Sequence, residues 1–83
     1  ANRQYTITML SDMGFDVLPS AANFVFAKHP AIGGKDLYLR LKEKGFLVRH
    51  FDKVRLKEYN RITIGSREQM DALLTAIKDI LEE

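Results

Sequence analysis

The chain contains no cysteine, which excludes disulfides, thiolate zinc sites and cysteine nucleophiles and fits a reducing compartment. It also has no apolar run of membrane-spanning length, so we expect no membrane contact. Positive charge exceeds negative charge only slightly. The chain has 13 Lys and Arg residues and 11 Asp and Glu residues, which gives a net charge of +2. So small an imbalance gives no indication of nucleic-acid binding.

The sequence also lacks the residue groups that a complete catalyst needs. It shows no nucleophile constellation, no cluster of metal ligands and no phosphate-binding loop in 83 residues. Its composition, with 46% hydrophobic and 29% charged residues, is that of one ordered globular domain. We therefore predict a single domain over 1–83 with no catalytic and no metal-binding residue of its own.

Local patterns predict seven elements in the order α-β-β-α-β-β-α. Apolar spacing and glycine stops predict helices, and short Val-, Ile- and Phe-rich runs predict strands. The predicted ranges are a helix over 2–13, strands over 15–18 and 22–28, a helix over 35–44, strands over 46–50 and 60–64, and a final helix through residue 81. This order favours an α/β (α+β) two-layer sandwich, in which helices cover one face of a small, mostly antiparallel sheet.

The final helix has the clearest signals. Ser66 and Gln69 have the spacing of a capping box, in which a hydroxyl and an amide satisfy backbone groups of the first turn. An apolar stripe then follows at helical spacing, at Met70, Leu73, Leu74, Ile77 and Leu81. A stripe of this length predicts a helix that packs on the sheet.

Two arginines are predicted on the sheet face away from the helices. Side chains alternate along a strand, so Arg61 lies opposite Ile62 and Ile64, and Arg49 lies opposite Val48. If the isoleucines and valines face the helices, both guanidinium groups lie on the free face. Paired arginines bind carboxylate or phosphate, although two solvated surface charges are the simpler alternative.

Asn23 is assigned to the same face by the same alternation. Phe24 and Phe26 share one side of their strand, and we expect these large apolar rings to face the helices. Asn23, Val25 and Ala27 then lie on the opposite side. This predicts Asn23, Arg49 and Arg61 together on the helix-free face.

Other polar residues are less informative. His50 beside Asp52 suggests a base and its orienting carboxylate, but a strand-end histidine is favoured, as it is for His29. The basic segment from Lys53 to Lys57 suggests phosphate contact, but a solvated loop is favoured.

Several short segments together resemble a known family. They are the run 14–20, Ala22-Asn23-Phe24, Lys44-Gly45, Val48-Arg49, and Arg61-Ile62-Thr63-Ile64-Gly65 before the capped helix. Across the whole chain this order resembles the C-terminal small domain of histidinol-phosphate aminotransferase, a fold-type I, pyridoxal-phosphate-dependent transferase of histidine biosynthesis. The resemblance implies that residues 1–13 are the end of an interdomain helix.

The resemblance also implies roles for three residues in the full-length parent. Arg61 matches the arginine that holds the acidic group of the substrate, Arg49 matches a second arginine near that anion, and Asn23 matches an asparagine of the strand entering the site. The substrates implied are histidinol phosphate and glutamate or 2-oxoglutarate.

Pyridoxal 5'-phosphate is implied in the parent and is not expected to be bound to this chain alone, because the residues that hold it belong to a large domain upstream. The implied partners are that large domain and a second subunit of a cytoplasmic homodimer. Two alternatives stay open: another fold-type I enzyme, such as an aromatic aminotransferase or a phosphate-handling decarboxylase, and a free-standing α/β module that binds a small anion.

Overall fold

The structure, a computed structural model, describes residues 2–19, 23–50 and 58–82. Its elements are α1 (Asn2–Asp12), β1 (Asp16–Pro19), β2 (Phe24–Lys28), α2 (Gly34–Glu43), β3 (Arg49–His50), β4 (Asn60–Thr63) and α3 (Arg67–Glu82). The predicted order α-β-β-α-β-β-α is confirmed. Every predicted element is present, although its ends differ by a few residues.

The four strands form one antiparallel sheet in the order β1-β2-β4-β3. β2 and β4 are the central strands, and Val25 lies opposite Ile62 in their register. β3 is only two residues long and lies at one edge, where Arg49 is opposite Arg61. The predicted strand over 46–50 therefore contracts to its last two residues.

The core lies between the sheet and the three helices. Val25 and Ile62 come from the central strands, and Leu10, Leu41 and Ile77 come from α1, α2 and α3 respectively. Each of these side chains is at most 2% exposed. The helices thus cover the sheet on the side of Val25 and Ile62, which confirms the predicted two-layer arrangement.

The start of α3 forms the predicted capping box. The backbone N–H of Ser66 donates to Gln69 Oε1 at 2.9 Å, and the backbone N–H of Gln69 donates to Ser66 Oγ at 3.1 Å. The apolar stripe is also buried, with Ile80 lying deeper than the predicted Leu81.

The predicted orientation of β2 is wrong. Val25 and Ala27 face the core with 0% and 1% exposure, whereas Phe24 and Phe26 are only partly buried and lie on the opposite side. The run Phe-Val-Phe-Ala is apolar on both faces, so no polar residue fixes its alternation. The smaller side chains fit beneath the helices, and the rings occupy the helix-free face.

The spacing of the apolar residues in α1 predicts a buried side formed by Tyr5, Met9, Leu10 and Met13, and the structure displaces that side. Thr6 and Leu10 are its buried residues, whereas Tyr5 and Met13 are partly buried and Met9 is exposed. Thr6 is accommodated because its hydroxyl donates to the carbonyl of Asn2 at 2.7 Å. A threonine that satisfies its hydroxyl within the helix can be buried without an unpaired polar group.

Candidate functional site

One row of side chains crosses the helix-free face of the sheet. The registers place Leu18 opposite Phe26, Phe26 opposite Arg61, and Arg61 opposite Arg49, in adjacent strands from β1 to β3. None of the described helices lies on this face. The row changes from apolar at β1 to cationic at β3, so the sheet brings the two predicted arginines together.

Arg49 and Arg61 oppose each other directly, which is an unfavourable arrangement for two like charges. Opposed residues of an antiparallel pair have Cβ atoms about 4.5–5.5 Å apart, and like charges there destabilise the sheet. Arg49 is exposed and Arg61 is half-buried. An anion placed between them could accept charge-assisted hydrogen bonds from both guanidinium groups.

The guanidinium group of Arg61 is positioned by an aromatic ring. Its Cζ lies 4.2 Å from the centre of the Phe24 ring. Its Nε is buried, and no described residue accepts a hydrogen bond from it. Phe24 is opposite Thr63, two pairs further along the same two strands, and therefore shares the helix-free face with Arg61. Ring stacking thus fixes the base of the guanidinium group, in place of a hydrogen bond to a described carboxylate.

Asn23 is not aligned with the two arginines. It is an exposed residue just before β2, and its carbonyl accepts a hydrogen bond from the backbone N–H of Ile64 at 2.7 Å. Strand alternation puts it in phase with the buried Val25, not with Phe24. Asn23 itself precedes β2 and lies outside the row, so its predicted place beside the two arginines stays a prediction.

His50 belongs to a buried polar link on the helix side. Its Nδ1 lies 3.0 Å from Asn60 Oδ1, and Asn60 Nδ2 donates to the carbonyl of Gly34 at 3.0 Å. The Tyr38 ring stacks on His50 with centroids 5.8 Å apart. Asn60, only 1% exposed, thus joins β3 and β4 to the start of α2. The suggested partner Asp52 and the basic segment 53–57 lie outside the described residues.

His29 uses both ring nitrogens on backbone groups. Its Nε2 lies 2.8 Å from the Met13 carbonyl, and its Nδ1 accepts the backbone N–H of Ala31 at 3.0 Å. A carbonyl can only accept, so Nε2 carries the proton and the ring is neutral. The structural interpretation of His29 is confirmed.

A polar cluster joins the outer surfaces of α1 and α3. The Tyr5 hydroxyl donates to Asp71, and the Arg67 guanidinium carbon lies 3.7 Å from the centre of the Tyr5 ring. The hydrogen bond to Asp71, then burial and the carboxylate charge, raise the pKa of the Tyr5 phenol. This cluster clamps the two helices together, away from the arginine row.

The described ranges contain neither a cluster of metal ligands nor a membrane-spanning helix. Within 2–19, 23–50 and 58–82, no group of three or more His, Cys, Asp or Glu side chains is placed to hold a metal ion. No helix in these ranges combines the length and apolar character that a membrane crossing requires.

The sequence interpretation missed Phe24 as part of the site. Its ring was assigned to the core because large apolar side chains are usually buried. The deciding feature is the register: with Phe26 opposite Arg61, Phe24 becomes the diagonal neighbour of Arg61 on the same face. The sequence alone did not establish that pairing.

Comparison with known proteins identifies the family. The family model for aminotransferase class I and II matches residues 1–77. The chain belongs to this family. Among curated members it is 49% identical over 80 residues to histidinol-phosphate aminotransferase 1 of Bordetella parapertussis. It is 46% identical over 81 residues to histidinol-phosphate aminotransferase of Aromatoleum aromaticum.

These matches cover nearly all of this chain and a small part of each relative. They span 96% and 98% of the chain but only 22% and 23% of the two curated aminotransferases. A solved structure, a putative aminotransferase from Burkholderia pseudomallei, superposes with a TM-score of 0.81 at 32% identity, over 95% of this chain and 24% of that one. The fold described above is therefore a recurring part of larger aminotransferases.

Proposed function

We propose that this chain is the C-terminal small domain of a histidinol-phosphate aminotransferase and that its helix-free face binds the anionic group of the substrate. One observation carries the proposal: Arg49 and Arg61 lie directly opposite each other on that face. Two guanidinium groups on neighbouring strands can both donate to one carboxylate or phosphate. The names of the curated relatives support histidinol phosphate as one substrate.

The three residues have distinct roles in the proposed site. Arg61, half-buried against Phe24, is the main clamp for the carboxylate of glutamate or the phosphate of histidinol phosphate. Arg49, on the exposed edge strand, adds a second cation to the same anion. Asn23 contacts the substrate from the entry of β2, outside the row. No side chain among these is proposed to exchange a proton with the substrate.

The proposed cofactor of the parent is pyridoxal 5'-phosphate, which supplies the electron sink for amino-group transfer when bound. The two arginines suit the anionic end of an amino-acid substrate. For that reason we assign them to binding of the substrate and not of the cofactor. The cofactor ring is expected to be held by the large domain of the parent. We further propose that the parent is a cytoplasmic homodimer in which this domain closes on the large one.

The activity is tested on the full-length protein that carries this chain. Purified with pyridoxal phosphate, it is expected to transfer the amino group of histidinol phosphate to 2-oxoglutarate with a kcat/KM at least tenfold above that for aromatic amino acids. A higher kcat/KM for aromatic amino acids would indicate an aromatic aminotransferase instead. Release of carbon dioxide from a phosphorylated amino acid, without amino transfer, would indicate a decarboxylase.

A further inference from the structure

The structure assigns a positioning role to Phe24, which we infer holds the Arg61 guanidinium group in the orientation that receives the substrate anion. This inference rests on the proposed function of Arg61. Its own basis is the stacking of the Arg61 guanidinium carbon 4.2 Å from the centre of the Phe24 ring. Phe24 thereby acts on binding through Arg61, without contact to the reacting atoms.

The need for a support follows from the surroundings of Arg61. An arginine side chain loses much rotamer freedom when it binds an anion in one geometry, and this loss weakens binding unless the geometry is set beforehand. Buried arginines are usually oriented by carboxylates, but the Nε of Arg61 has no hydrogen-bond partner among the described residues. A carboxylate partner would also neutralise the charge that attracts the substrate. An aromatic face orients the group and leaves its charge available.

The register explains why Phe24, and not the directly opposed residue, supplies this face. Phe26 is opposite Arg61, whereas Phe24 is opposite Thr63, two residues further along β4 on the same face. A long side chain reaches this diagonal neighbour, which lies about 7–8 Å away between backbones. The guanidinium group therefore lies along the sheet surface over Phe24, where a cation–π contact fixes it.

The test is a mutant cycle in the full-length protein. Phe24→Leu keeps the apolar volume but removes the aromatic face, and is expected to raise KM for glutamate and for histidinol phosphate about three- to thirtyfold with little change in kcat. Phe24→Tyr keeps the face and is expected to remain within twofold of wild type. In an Arg61→Ala background, Phe24→Leu is expected to have no further effect beyond twofold.

A matched control separates positioning from packing. Phe15 is a core phenylalanine, 6% exposed, on the helix side of the sheet. Phe15→Leu is expected to lower the free energy of unfolding without raising KM. An independent readout uses the 83-residue chain labelled with ¹⁵N: the Arg61 Nε–Hε resonance is expected upfield of those of exposed arginines and to move downfield in Phe24→Leu.

The outcomes distinguish the two claims. If Arg61→Ala impairs kcat/KM but Phe24→Leu does not, the positioning role is wrong and the proposed function stands. The role is equally wrong if Phe24→Leu has the same effect with and without Arg61, or if the Hε resonance of Arg61 coincides with those of exposed arginines. If Arg61→Ala leaves kcat/KM unchanged, the proposed function fails and the inference falls with it.

Discussion

Arg49 and Arg61 are direct partners across β3 and β4, with both side chains on the sheet face that no described helix covers. The pairing puts two cations next to each other on a surface that Phe24 and Phe26 make partly apolar. A partly buried arginine such as Arg61 binds an anion more strongly than the same group in water. The arrangement is consistent with the proposed binding of an anion at this face.

Phosphate is expected to stabilise the 83-residue chain more than chloride at equal ionic strength. Binding only to the folded state adds about 1.4 kcal/mol to the free energy of unfolding once phosphate is tenfold above its Kd. Arg49→Gln should abolish most of this increment, whereas Lys78→Gln, at an exposed position of α3, should retain it. Urea unfolding in the two salts measures both. Equal stabilisation of wild type and Arg49→Gln would show that the pair is not the phosphate site.

Gly14 and Gly45 form a natural pair for measuring backbone strain. Both have positive φ, at 95° and 92° respectively, where an L side chain is strained by about 1–2 kcal/mol. A Cβ at Gly45 meets nothing within 4 Å, whereas one at Gly14 comes within 3.0 Å of His29 Nε2. Gly14→Ala should therefore lower the free energy of unfolding more than Gly45→Ala. Equal losses in the free energy of unfolding, measured with denaturant, would show that His29 moves away from the added methyl group at no energetic cost.

The buried link through Asn60 is expected to matter for stability. Asn60→Leu removes the hydrogen-bond donor to the buried Gly34 carbonyl and one partner of the partly buried His50, at a cost of about 1–3 kcal/mol. Asn60→Asp keeps an acceptor for His50 but loses the donor to Gly34, so we expect it to be destabilising too. A change below about 0.5 kcal/mol in Asn60→Leu, measured by urea unfolding, would contradict a structural role for the link.

The Tyr5 contact with Asp71 predicts a stability term that disappears at alkaline pH. The hydrogen bond raises the phenol pKa in the folded chain, so the contribution is complete below the unfolded value of about 10 and is lost as pH rises through the raised pKa. The difference in unfolding free energy between wild type and Tyr5→Phe should therefore shrink only as the pH rises above the unfolded pKa of about 10. The same comparison in an Asp71→Asn background should show no such alkaline loss. A difference that is constant to pH 11 would argue against the contact.

The sequence predicted the elements whose signals are local. The Ser66–Gln69 capping box and the stripe from Met70 to Ile77 come from interactions within one helix, and both are present. Strand alternation also predicted Arg49 and Arg61 on one face, because each is next to an apolar residue, Val48 or Ile62, that is expected to face the helices.

The errors lie where tertiary contacts decide. β2 is apolar on both sides, so only the packing of helices over Val25 fixes which side is buried, and the predicted orientation of Phe24 and Phe26 was therefore wrong. Asn60 gave no signal either, since its partners His50 and Gly34 meet only in the folded sheet. Long-range pairing of this kind is not encoded in the spacing of one segment.

The central claim is that Arg61 clamps the substrate anion, and kcat/KM of the full-length protein tests it most directly. Arg61→Ala removes a charge-assisted contact of about 1.5–3 kcal/mol, so we expect about a ten- to 150-fold loss for both glutamate and histidinol phosphate. Arg61→Lys should also be impaired, because an ammonium group cannot reproduce the planar fork. The exposed Lys78→Ala is the control and should stay within twofold of wild type. If correctly folded Arg61→Ala protein also stays within twofold for both substrates, Arg61 is not the clamp and the assignment of the helix-free face is wrong.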